Sequence, residues 1–104
     1  MATAVPTLSV LNNSNYSATL GKGAISPVIV CHCNGRCRLA TSDAVTVRVG
    51  SATQLASAPA GATDVYYPAG VHYILYDTGT INNAMSIYAF NAGTIVTMSG
   101  SVVG

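Results

Sequence analysis

Turn-forming residues recur every 8 to 14 positions along this 104-residue chain, and the segments between them alternate apolar and polar side chains. Alternation with a period of two is the mark of a strand with one buried and one wet face. It is clearest in Ala44–Gly50, where Val45, Val47 and Val49 point one way and Thr46 and Arg48 the other. The same reading gives strands over 5–11, 27–33, 36–41, 71–77, 85–90 and 93–99, with a short one at 63–67. Residues 52–62 read as a small-residue loop closed by Pro59-Ala60-Gly61, a signal repeated at Pro68-Ala69-Gly70. Gly, Thr, Ser, Val and Tyr dominate, and glutamate is absent, so helices are disfavoured. The expected fold is all-β: a single antiparallel β-sandwich, jelly-roll-like or a small barrel, of about seven to eight strands with no significant helix. It spans 1–104 as one domain, with 1–26 as an extended N-terminal arm or edge strand.

Two local patterns refine the expectation. Asn34-Gly35 separates two apolar runs, and Asn-Gly tolerates the positive φ that both central positions of a type I′ turn require. The pattern predicts a tight hairpin in which Cys33 opposes Arg36, His32 opposes Cys37, Cys31 opposes Arg38 and Val30 opposes Leu39. Residues 71–77 are apolar on both faces, Val71, Tyr73 and Leu75 against His72, Ile74 and Tyr76. Such a strand is central in its sheet, or its second face meets a partner.

Charge is scarce. Lys22, Arg36, Arg38 and Arg48 face Asp43, Asp64 and Asp77, so 7% of residues are charged and the net charge is +1. Surfaces normally carry roughly 25–35% charged residues to resist association. Four scattered cations cannot neutralise a run of phosphates, which argues against nucleic-acid binding. Half the residues are hydrophobic, which argues against disorder. The uncharged stretch 78–104 is interrupted by Asn, Thr, Ser and Gly, so no window of about 20 residues reads as a membrane span. The N-terminus lacks a cationic segment and Pro6 breaks any apolar run, so synthesis in a cytoplasm is expected. The scaling law gives about 5,400 Å² of folded surface against about 15,000 Å² unfolded, enough for one core. Much of that sparsely charged surface is expected to be covered by copies of the chain or by a larger particle.

The groups that could carry chemistry are few. Cys31, His32, Cys33 and Cys37 form a Cys₃His set within seven residues, the ligand inventory of a zinc centre. In the predicted hairpin, Cys31 and Cys33 share one face and His32 and Cys37 the other, so the four do not converge on one ion. Cys31 and Cys33 would lie roughly 6.5–7 Å apart along a strand, at the limit for a disulfide. The preferred reading is three thiols acting as small hydrophobes, and no metal or cofactor is expected. Asp43, Asp64 and Asp77 each sit beside a turn, where Asp bonds backbone, and His72 lies in an apolar strand. No nucleophile elbow or phosphate loop is present, so enzymatic activity is not expected.

Aromatic residues offer the other candidate surface. Tyr66, Tyr67, Tyr73, Tyr76, Tyr88 and Phe90 combine apolar area with hydroxyl groups, a composition favoured at protein interfaces. A sugar-binding platform is the alternative use of the same side chains.

The succession AVTVRVGS, ATDVYYPAGVHYILYD and MSIYAFNAGTIVTMSG resembles the small all-β virion proteins of tailed bacteriophages. In these a VRV-type strand, a Pro-Ala-Gly approach to a central strand and a closing Gly-Thr-Val-Val-Thr-like strand ending in Gly follow in this order. The resemblance covers roughly 44–104 and does not extend to the Cys-rich segment. It implies a capsid decoration or cement protein, or an accessory head, tail or fibre protein, made in a host cytoplasm and residing in the virion. Its partners would be the major capsid protein or other virion proteins and further copies of itself, with threefold positions favouring a trimer. Glycan-binding adhesion and a Cys/His metal-binding hairpin are the alternatives. One located expectation follows from charge: 78–104 should be buried or in subunit contact, and Arg36, Arg38 and Arg48 should face water or an acidic partner.

Overall fold

The computed structural model describes residues 7–11, 15–32, 36–75 and 84–100. Among them run β1 (Thr7–Leu11), β2 (Asn15–Leu20), β3 (Val28–His32), β4 (Arg36–Thr41), β5 (Val45–Gly50), α1 (Ala52–Ser57), β6 (Val65–Tyr67), β7 (Gly70–Leu75), β8 (Ala84–Ala89) and β9 (Thr94–Gly100). The strands form two sheets. Sheet A has the order β1-β3-β8-β5-β6 and sheet B the order β2-β9-β4-β7. Every pairing is antiparallel except β1 with β3. The all-β sandwich expected from the alternation is therefore the fold.

Alternation decides which side chains fill the space between the sheets. Val45, Val47, Met85, Ile87, Ala89 and Ile29 from sheet A meet Leu20, Cys37, Leu39, Ile74, Val96 and Met98 from sheet B in one core. Burying such side chains contributes about 1.5–3 kcal/mol each before chain entropy is set against it. The accessible surface, 5321 Å², agrees with the scaling law, so the two sheets enclose as much as a monomer of this size normally does. The uncharged C-terminal strands occupy the middle of the sheets: β8 lies between β3 and β5, and β9 between β2 and β4. β8 is buried on both faces apart from Tyr88, which accounts for its lack of charge.

The outer face of sheet A is covered by the chain itself. Leu55 of α1 packs on Val28 and Ala84, and a side chain at Gly50 would meet Gln54 and Leu55 at 3.2–3.6 Å. Gly50 thus allows the helix to lie close to the end of β5. Beyond α1, residues 58–64 run across the same face as a strap. Buried Thr46 donates to the Gly61 carbonyl at 2.6 Å, and the Ala60 N–H donates to buried Ser86 at 2.6 Å. Arg48 donates to the Ala58 carbonyl at 2.8 Å and pairs with Asp64 at 2.9 Å, while Asp64 also accepts from the Gly61 N–H. Polar residues on this face are tolerable because the strap satisfies them. On the neighbouring side, residues 23–26 prolong β3 along β8 past Pro27, which has no N–H to give. The buried Ser26 hydroxyl accepts from the Ile87 N–H there.

Three expectations need correction. β3 and β4 do not pair with each other: β3 lies between β1 and β8, and β4 between β9 and β7. Leu39 opposes His72 and Met98 rather than Val30, which opposes Ser9 and Ala84. The connection crosses from one sheet to the other, and Cys33, Asn34 and Gly35 at its centre lie outside the described residues. Second, β7 is not central but the last strand of sheet B. Third, part of the expected 52–62 loop is helical. Ser51 caps α1, accepting from the Gln54 N–H at 3.1 Å while the Gln54 side chain accepts from the Ser51 N–H at 3.0 Å. This reciprocal box fixes the first turn of a six-residue helix.

Candidate interaction surface

Of the Cys31, His32, Cys33 and Cys37 set, Cys37 alone has a described side chain. Cys37 is 0% exposed in the core, on β4 of sheet B, whereas Cys31 and His32 belong to β3 of sheet A. The side chains of Cys31 and His32, like Cys33 as a whole, lie outside the described residues. Among the described residues no three His, Cys, Asp or Glu side chains gather as a metal would require. The carboxylates hold backbone, as expected for Asp beside turns. Asp43 accepts from the Ala44 N–H at 2.7 Å and from Asn91 at 3.1 Å, and Asp64 secures the strap. Asp77 lies outside the described residues. His72, on β7, bonds the Pro68 carbonyl at 2.7 Å and rests against the Tyr67 ring at 5.1 Å. Both contacts tie the corner joining the sheets.

The aromatic candidates divide among three places. Tyr66, Phe90 and Tyr88 cluster on the outer side of sheet A, with ring centroids 6.1 and 5.4 Å apart and the Tyr88–Phe90 pair edge to face. Tyr67 turns inward onto the core, and Tyr73 projects from the outer face of sheet B. Tyr76 lies outside the described residues. Tyr16, which was not among the candidates, packs partly against the core, and burial raises its hydroxyl above the usual 10.0.

The outer face of sheet B differs from that of sheet A, because among the described residues no helix or strap crosses it. Register builds this face. Ser17 opposes Thr97, Thr97 opposes Ala40, and Ala40 opposes Val71; one row along, Ser99 opposes Arg38 and Arg38 opposes Tyr73. Ile95, also outward, is 51% exposed. Arg38 on this face is half-buried, and Arg36 stands two residues before it on β4 at the same register parity. Arg48 does not share the face, since Asp64 neutralises that guanidinium on the opposite sheet. The face is thus a flat field of small hydroxyl and aliphatic groups, apolar enough to be covered and polar enough to stay wet.

One signal for this surface was present in the sequence and not used. Asn15–Leu20 alternates Tyr16, Ala18 and Leu20 inward with Ser17 and Thr19 outward. Its polar residues concealed a strand that supplies one margin of the face. No family model matches the chain, and neither a curated protein nor a solved structure matches it.

Proposed function

We propose that this protein is a non-enzymatic virion component, a capsid decoration or cement protein that binds and stabilises a phage shell as an oligomer, with a trimer favoured. The observation carrying the reading is the outer face of sheet B, uncovered among the described residues and lined by Ser17, Ala40, Val71, Ile95 and Thr97 beside the arginines of β4. A surface this poor in charge is costly to leave as the permanent boundary of a protein, and covering it against a particle removes that cost. The partner patch would be equally uncharged, with a carboxylate opposite Arg38, since a cation covered without a partner is penalised. The resemblance of 44–104 to small phage virion proteins supports the same reading. The ring cluster of Tyr66, Phe90 and Tyr88 favours a glycan platform less, because rings meeting edge to face do not offer the flat stacking surface a sugar needs.

The genomic neighbourhood tests the proposal. A gene for a major shell protein beside this one, and the protein in purified particles at a fixed ratio to that shell protein, is the expected result. Adjacency to tail genes with presence confined to tails would replace decoration by a tail role. A neighbourhood without virion genes would overturn the proposal.

A further inference from the structure

The fold treats its two described arginine side chains differently. Arg48, on the outer side of sheet A, gives its guanidinium to Asp64 at 2.9 Å and to the Ala58 carbonyl at 2.8 Å. Arg38 is half-buried, yet among the described residues no hydrogen bond or ion pair engages its guanidinium. The described carboxylates are committed elsewhere. Asp64 holds Arg48 and the strap, and Asp43 accepts from the Ala44 N–H and from Asn91 in the turn between β4 and β5. Within sheet B itself, the four strands contain two cations, Arg36 and Arg38 of β4, and no carboxylate. Leu39 between Arg38 and Ala40 is fully buried, so Arg38 projects outward. It opposes Ser99 on one side and Tyr73 on the other, and Thr97, Ala40 and Val71 form the next row. Neutral side chains therefore ring the cation.

Covering such a position constrains what covers it. A surface that strips water from Arg38 must return an anion, because a cation covered without a partner is penalised. A carboxylate matches the planar guanidinium, accepting two parallel N–H bonds. A central arginine ringed by neutral contacts that exclude water is also the anatomy of an interface hot spot. Arg36 stands two residues before Arg38 at the same register parity, about 6.6–6.8 Å along the strand. Alternate residues of any extended chain repeat at that distance. Ala40, Thr97 and Ser99 are small, so such a chain can lie close to β4. We infer that the outer face of sheet B takes an extended acidic segment of a partner protein, with carboxylates on alternate residues set against Arg38 and Arg36. The inference deepens the shell reading and rests on it for the covering of this face. A second copy of the face supplies no carboxylate from its strands, and a run of phosphates would meet two cations where counterion release rewards many.

An NMR titration tests this with three probes: a peptide alternating glutamate and threonine, a peptide alternating lysine and threonine, and single-stranded oligothymidylate. The signals followed are the Arg38 Nε–H and the backbone amides of Thr97 and Ser99. The expected result is a saturable shift with the glutamate peptide alone, weakening as salt is raised. Arg38→Met should weaken that binding about tenfold or more, with circular dichroism and melting temperature unchanged. Arg38→Lys keeps the charge without the planar fork, so it should bind between the two and retain the salt dependence. No saturable shift, a shift insensitive to salt, undiminished binding by Arg38→Met, or tighter binding of the lysine peptide or of oligothymidylate would each overturn the inference. The salt titration uses the wild type alone and so does not depend on how a variant folds. Binding to shell particles is scored separately. A protein that takes the glutamate peptide but ignores particles sinks only the shell reading, and particle binding undiminished in Arg38→Met sinks only this inference.

Discussion

At the scale of single residues, the fold depends on where polar atoms meet the core. Tyr16 is partly buried against it, and burial raises its hydroxyl above the usual 10.0. The sign of the resulting linkage is fixed: above that pH the unfolded chain releases this proton while the folded chain still holds it. Tyr16 therefore favours the folded state fully below about pH 10, and its contribution falls as pH rises through the raised value. Melts of the wild type and Tyr16→Phe should keep a constant offset from pH 7 to 9, and the wild type should lose stability faster above pH 10. A constant offset throughout would contradict the account. Cys37 shows what residue identity alone could convey. Its reading as a small hydrophobe fits its full burial, and the choice between hydrophobe and ligand depended on which strands adjoin it. That is a long-range fact which seven adjacent residues do not contain.

At the scale of elements, period-two alternation was readable wherever a strand has one buried face. In β5 the expected inward valines Val45 and Val47 are buried, but Thr46, expected to be wet, is buried beneath the strap and Val49 is 39% exposed at the strand's end. Misreadings arose where a local signal competed with tertiary context. Asn34-Gly35 is a good turn signal in the sequence, but whether the strands flanking such a signal pair or part into opposite sheets depends on β8, β9 and β7, distant in sequence. The double-sided apolarity of β7 was real, and its cause is exposed Val71 and Tyr73 at a sheet edge rather than burial at the centre. In 52–62, Ala and Ser suggested a loop, whereas Ser51 and Gln54 stand at the spacing of a capping box. That cap yields a prediction at this scale. Ser51→Ala should cost about 1 kcal/mol, or roughly 4–8 °C in Tm for a domain of this size. Leu55→Ala should cost more, about 2–3 kcal/mol, because Leu55 is the apolar anchor of α1 on Val28 and Ala84. Thermal melts of the two variants check the order, and a Ser51→Ala loss exceeding that of Leu55→Ala would mean the strap, not the helix, carries the cover.

At the scale of the whole molecule, the two sheets are treated unequally. Sheet A has its outer face closed by α1 and by a strap that uses Arg48, Asp64, Thr46 and Ser86, whereas among the described residues sheet B leaves its outer face open. The charge deficit thus has a location: β8 is buried on both faces apart from Tyr88, and β9 turns one face to the core and the other to the open side of sheet B. Sedimentation of purified protein with empty particles assembled from the neighbouring shell gene tests the central claim most directly. The wild type should co-sediment to a fixed saturating ratio. Ile95→Asp/Thr97→Asp on the open face should lose at least tenfold in affinity while keeping its circular dichroism and melting temperature. Wild-type binding by that variant, or no saturable binding by the wild type, would contradict the account.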